Sequence, residues 1–160
     1  MLTQSTGQWV MLAYRLPREP STPRIALWRR LKRLGVVQLL DGLVALPADA
    51  KTREQLEWAA EEVIEAGGDA TLWIGQPGTA AEERSLAARM SETVAADYRA
   101  VIHAAEAART STDAAARRRT LQRLRRTLHA IAGRDYFPPP ERDQAQRSVD
   151  ELTEIVEVAG

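Results

Sequence analysis

The order of apolar and amphipathic stretches up to Gln76-Pro77-Gly78 limits what this chain can fold into more than any other feature. Trp9 to Tyr14 barely alternates between apolar and polar, so it reads as a strand buried on both faces. Leu16-Pro17 ends it. Ser21 or Thr22 can cap a helix with Pro23 at its first position, and Gly35 stops that helix after Leu34. Its apolar stripe is Leu27, Trp28, Leu31 and Leu34, with Arg29 and Arg33 opposite. Val36 to Leu40 and Leu43 to Leu46 read as strands joined by the tight turn Asp41-Gly42 and closed by Pro47. A second helix runs from about Lys51 to Ala66, with Leu56, Ala60, Val63 and Ile64 inward, and Gly67-Gly68 ends it. Ala70 to Ile74 is a fourth strand. The order is β-α-β-β-α-β. Two helices on one face of a four-stranded antiparallel sheet, the ferredoxin-like arrangement, bury the apolar faces of such a series.

After the break the pattern is helical throughout. Residues 80–109 carry Leu86, Met90, Val94, Val101 and Ile102 among many alanines, which favour helix. Ser111 or Thr112 restarts a helix from about Asp113 to Ala132, with Leu121, Leu124, Leu128 and Ile131 on one stripe. Gly133 ends it, residues 134–140 form a stiff proline-rich connector, and a last helix over 141–158 aligns Ala145, Val149, Leu152 and Val156. The expected architecture is therefore α+β: a ferredoxin-like domain over 1–78, then a three-helix extension over 79–160. Three long amphipathic helices offer more apolar stripe than one small sheet can cover, which predicts a homodimer.

Composition removes several chemistries. There is no cysteine, so disulfides and thiolate metal sites are out. Two histidines, His103 and His129, sit alone on separate helices and make poor candidates for a metal site. Glycine-rich phosphate loops, zinc-binding pairs and serine–histidine–acid spacings are all missing, so neither a cofactor nor a catalytic residue is expected. No apolar run approaches the roughly 20 residues of a membrane span, and the polar start lacks a secretory core, which makes the cytoplasm the expected location. The 22 basic and 22 acidic residues cancel, which argues against coating nucleic acid by bulk charge. Only Lys32 and Lys51 are lysines; every other cationic side chain is arginine.

Two arginine groups remain as candidate sites. Arg15, Arg18 and Arg24 flank the link between the first strand and the first helix. A helix start offers backbone N–H groups, and arginine adds fork-shaped donors, a combination that suits a tetrahedral oxyanion such as chromate or sulfate. The plain alternative is a connection whose arginines pair with surface acids. Arg118, Arg119, Arg123, Arg125 and Arg126, following Arg117, form the densest basic run, with no acid among them. They span two helical turns, roughly 11 Å, and can meet a few phosphates of promoter DNA. Their plain alternative is a solvated face balanced by acids such as Glu82, Glu83, Glu92 and Glu106. Trp9, Trp28, Trp58 and Trp73 fall on four different elements and are expected in the core.

Several stretches resemble the N-terminal domain family of the chromate-resistance regulator ChrB. They are Tyr14 to Ser21 (YRLPREPS), Arg24 to Gly35 (RIALWRRLKRLG), the Asp41-Gly42 turn running to Leu46-Pro47, Thr52 to Trp58 (TREQLEW) and Arg134-Asp135-Tyr136-Phe137. The resemblance implies a bacterial protein tied to chromate resistance, regulatory in role, near a chromate efflux pump. Longer members carry a second, C-terminal domain. The first half also looks faintly like the middle domain of phenylacetate-type repressors and like CRISPR-associated integration proteins. The latter use an aspartate at the end of the first strand for nuclease work, where this chain has Tyr14-Arg15-Leu16-Pro17. The expected function is sensing or transcriptional regulation through arginine surfaces. A dimeric interaction protein that does not bind DNA, or a nuclease-like protein, are the alternatives.

Overall fold

The computed structural model describes residues 7–159. Its contacts divide the chain into two compact units, Met1–Met90 and Ser91–Gly160. The division falls inside a helix, α3, that spans Ala80–Arg109.

The first unit is built on strands β1 (Trp9–Arg15), β2 (Val37–Leu40), β3 (Leu43–Pro47) and β4 (Asp69–Gly75), with helices α1 (Thr22–Leu34) and α2 (Ala50–Glu65) between them. The sheet order is β2-β3-β1-β4 and every neighbouring pair is antiparallel. The class is α+β, and the first and last strands pair along their whole length, from Trp9 opposite Gly75 to Arg15 opposite Asp69. One face of the sheet carries Val10 and Leu12 of β1 with Val44 and Leu46 of β3, all fully buried. They share the core with Leu27 and Leu31 of α1 and Leu56 and Val63 of α2, while α2 packs on β1 and β4. The opposite face carries Trp9 and Ala45, also buried. The first turns of α3 reach this second face: the Trp9 indole N–H donates to Glu83 over 2.9 Å, and Arg89 donates to the Gln38 carbonyl over 2.6 Å. That cover explains why β1 lacks alternation.

The second unit comprises the rest of α3, α4 (Ala114–Ala132) and α5 (Glu141–Ala159). Val94, Tyr98, Val101 and Ala105 from α3 meet Leu121, Leu124 and Ile131 from α4 and Ala145, Val149 and Leu152 from α5 in one apolar cluster. Arg99 pairs with Glu141 and Arg109 with Glu151, a constant offset of 42 residues, so α3 and α5 run parallel. The α4–α5 connector is clasped to α3. Arg134 pairs with Asp97 at 3.1 Å, and the buried Tyr98 hydroxyl donates to Asp135 at 2.8 Å.

Local expectations differ from the structure in several places. Ser21 occupies the cap position of α1 but has helical φ and ψ of −78° and −17° and makes no side-chain capping bond. α4 is capped by Asp113, which accepts from the Ala116 N–H, rather than by Ser111 or Thr112. Of the four tryptophans only Trp9 is in the core; Trp28 is half-buried, and Trp58 and Trp73 are 58% and 61% exposed. Ile64, expected inward, is 58% exposed, because α2 buries the stripe Thr52, Leu56, Ala59, Ala60 and Val63 and Ile64 falls on its flank.

Candidate anion and nucleic-acid sites

The link between β1 and α1 opens into a groove of about 870 Å³ whose walls include Arg15, Arg18 and Arg24. The loop places Arg15 and Arg18, and the first turn of α1 places Arg24. One turn and two turns further along the same helix face, Trp28, Arg29 and Lys32 continue the wall. The β2–β3 turn closes the far side with Asp41 and Gly42. Gly42 has φ +78°, and an added Cβ would lie 2.5 Å from the Tyr14 carbonyl oxygen, so the turn can approach β1 this closely only with glycine. The Gly42 carbonyl in turn accepts from the Tyr14 N–H at 2.8 Å.

Five cations therefore face a single lining carboxylate, Asp41. Arg15 is partly engaged: it pairs with Asp69 at 3.2 Å, but both side chains are more than four-fifths exposed, so the pair contributes little and is easily exchanged. Lys32 lies 5.9 Å from the centre of the Trp28 ring, a cation–π contact that holds both on the groove wall. Burial pushes the Tyr14 phenol above its ordinary pKa; Asp41 adds to this and Arg24 opposes it. The groove is large for a lone tetrahedral oxyanion, so such an ion would engage only part of the cation set.

Sequence reasoning missed Tyr14, Trp28, Arg29 and Lys32 as groove residues. Arg24, Trp28 and Lys32 recur at four-residue spacing, which was a readable signal. It was hidden because Trp28 looked like part of the Leu27–Leu31 core stripe.

The α4 arginines lie on the other side of that helix from Leu121, Leu124 and Ile131, and Arg118, Arg119, Arg123, Arg125 and Arg126 are all exposed. Arg125 donates to the Thr153 hydroxyl at 3.1 Å. Among the described residues Arg118, Arg119, Arg123 and Arg126 have no carboxylate within ion-pair distance, whereas Arg99, Arg109, Arg134 and Arg142 of the same unit are all paired. Of the acids expected to balance them, Glu83 takes the Trp9 indole and Glu92 takes Arg99. Arg117 behaves differently. It turns inward and donates to the Ser111 carbonyl just past the end of α3, where a cation offsets the negative end of a long helix. His103 and His129 are exposed, and no group of three potential metal ligands exists among the described residues. Among the described residues no helix is long and apolar enough to cross a membrane.

A family model described as "Protein ChrB, N-terminal" matches residues 24–158. Protein ChrB of Cupriavidus metallidurans is 31% identical over 135 residues, which cover 81% of this chain and 40% of that relative. The chain thus spans about two-fifths of the length of the curated relative it matches. No solved structure matches.

Proposed function

The chain belongs to the ChrB N-terminal family, which is associated with chromate resistance, and from that premise we propose that it is a regulatory module that responds to an oxyanion and contacts DNA. It performs no chemical step of its own. The observation that carries this reading is the imbalance of charge in the β1–α1 groove, whose lining sets Arg15, Arg18, Arg24, Arg29 and Lys32 against one carboxylate, Asp41, with Arg15 also in an exposed pair with Asp69. Cations left without acids in a concave site attract anions, and arginine matches the oxygens of a tetrahedral dianion with paired donors. The uncapped first turn of α1 adds backbone dipole of the same sign. The unpaired arginine face of α4 supports a separate contact with the phosphate backbone. One copy offers a short row, so the regulator works as a homodimer that presents two rows.

The test is a gel shift on the DNA upstream of the protein's own operon, with and without chromate. Regulation predicts a shift that chromate alters, and Arg18→Ala with Arg24→Ala removes only the chromate response. A protein that shifts no DNA under either condition is an interaction partner rather than a regulator, and the reading is then wrong.

A further inference from the structure

We propose that the free edge of β4 is the surface through which two copies of this chain join, pairing β4 with β4 of the second copy into one continuous sheet. This deepens the homodimer reading above by naming its interface.

β4 lies at the end of the sheet order, and among the described residues β1 is its sole neighbour. Edge strands ordinarily carry a lysine, a proline or a bulge, or are very short, which keeps other chains off their unpaired N–H and C=O groups. β4 has none of these. It is seven residues long, pairs with β1 without a register break, and its one charge is Asp69 at its first position. Large apolar side chains are exposed on both of its faces: Trp73 is 61% exposed and Ile74 is 42% exposed. A third joins them from α2. Glu62, on one flank of that helix, pairs with Arg30 of α1 at 2.8 Å, so the opposite flank, with Arg53, Glu57 and Ile64, turns away from α1. That flank borders β4, since Ile74 lines a shallow groove with Ala50, Arg53 and Glu57. Ile64, 58% exposed, sits further along it.

The occupant follows from the self-complementarity of this edge. An antiparallel two-fold centred on Leu72 pairs the whole strand and keeps each side chain on its own face of the sheet. Thr71 then faces the partner's Trp73, which puts the two tryptophans within diagonal reach on one face. Ala70 faces the partner's Ile74, and the small alanine leaves room for it beside Ile64. Asp69 faces the partner's Gly75, so no like charges meet. The α2 flanks run antiparallel across the axis, which sets the Arg53–Glu57 end of one against the Ile64 end of the other. A different protein would have to reproduce each of these matches, whereas a second copy supplies them by symmetry.

Sedimentation of the full chain at micromolar concentration tests this. The wild type is expected at twice the chain mass. Trp73→Lys and Ile74→Lys, at exposed positions where unchanged circular dichroism can verify folding, are each expected to weaken self-association roughly thirtyfold or more, as loss of a central interface anchor does. The chain has no cysteine, so Leu72→Cys reports the axis directly and should give a covalent dimer on oxidation, while Arg126→Cys should not. A dimer that survives both lysine variants, or an oxidised Leu72→Cys protein that stays single-chain, overturns this interface and leaves the homodimer reading standing. A wild type that sediments as one chain overturns both.

Discussion

Asp135 shows most clearly what single residues do here. Its side chain is fully buried, one carboxylate oxygen accepts the Tyr98 hydroxyl and lies 4.0 Å from Arg142, and the other has no hydrogen-bond partner among the described residues. A buried carboxylate that loses its one good donor keeps its desolvation cost. Tyr98→Phe should therefore cost about 1.5–3 kcal/mol in urea unfolding, although it removes a single oxygen. The same contact sets a pH dependence. Burial, then the bond to Asp135, raises the Tyr98 phenol well above its ordinary value of 10.0. The folded form thus holds its proton where the unfolded chain has lost it. The stabilisation is fully present below pH 10, and unfolding free energy should fall as pH rises from there toward the folded value. Unfolding midpoints measured across the alkaline range check this: in Tyr98→Phe the decline should be shallower than in the wild type.

Among the elements, α2 and α4 show how locally written features behave. α2 starts with a reciprocal cap in which Asp49 accepts the Thr52 N–H and the Thr52 hydroxyl accepts the Asp49 N–H. The same hydroxyl donates to the Pro47 carbonyl at 2.6 Å, which ties the helix start to the end of β3. Asp49→Ala should lower stability by about 1 kcal/mol, readable in chemical denaturation. α4 is the opposite case: among the described residues its outer arginines have no side-chain partner apart from that of Arg125. Replacing Arg119, Arg123 and Arg126 together with alanine should leave stability within about 0.5 kcal/mol per site, since no contact is lost and alanine favours helix. On the proposed regulatory reading the same replacement should sharply weaken DNA binding. A large loss of stability would mean that these side chains have structural partners.

For the whole molecule, charge is balanced overall but not locally, with 22 residues of each sign and six arginines in α4 without an acid. On the proposed reading, attraction to DNA is a short-range property of one face. Five arginines on one copy give a log–log salt slope of about −4 to −5, and two copies joined in one complex about −8 to −10. Gel shifts over a salt series distinguish these values, and a slope near the smaller one from a sedimenting dimer would mean that only one copy touches DNA.

The α+β class, the strand order along the chain and the bounds of α1 and α3 follow from the amino-acid sequence, because periodicity, Pro23, Gly35 and the Pro77-Gly78 break act over a few residues. Four strands in one antiparallel sheet were legible too, since few arrangements cover those apolar faces, whereas the direct pairing of residues 9–15 with 69–75 is a finding of the structure. The arginine candidates were also readable, since a run without acids needs no partner to be noticed. Whether an apolar or charged residue ends inside or outside depends on what the rest of the chain brings against it. Trp58, Trp73 and Ile64 look like core residues in any short window, yet the sheet and helices fill their core without them. Arg117 sits in a basic run, yet the end of α3 draws it inward. Arg134 and Asp135 look like connector residues, yet Asp97 and Tyr98 hold them. Packing and burial are set by segments far apart in the chain, and only tertiary structure decides which of them meet.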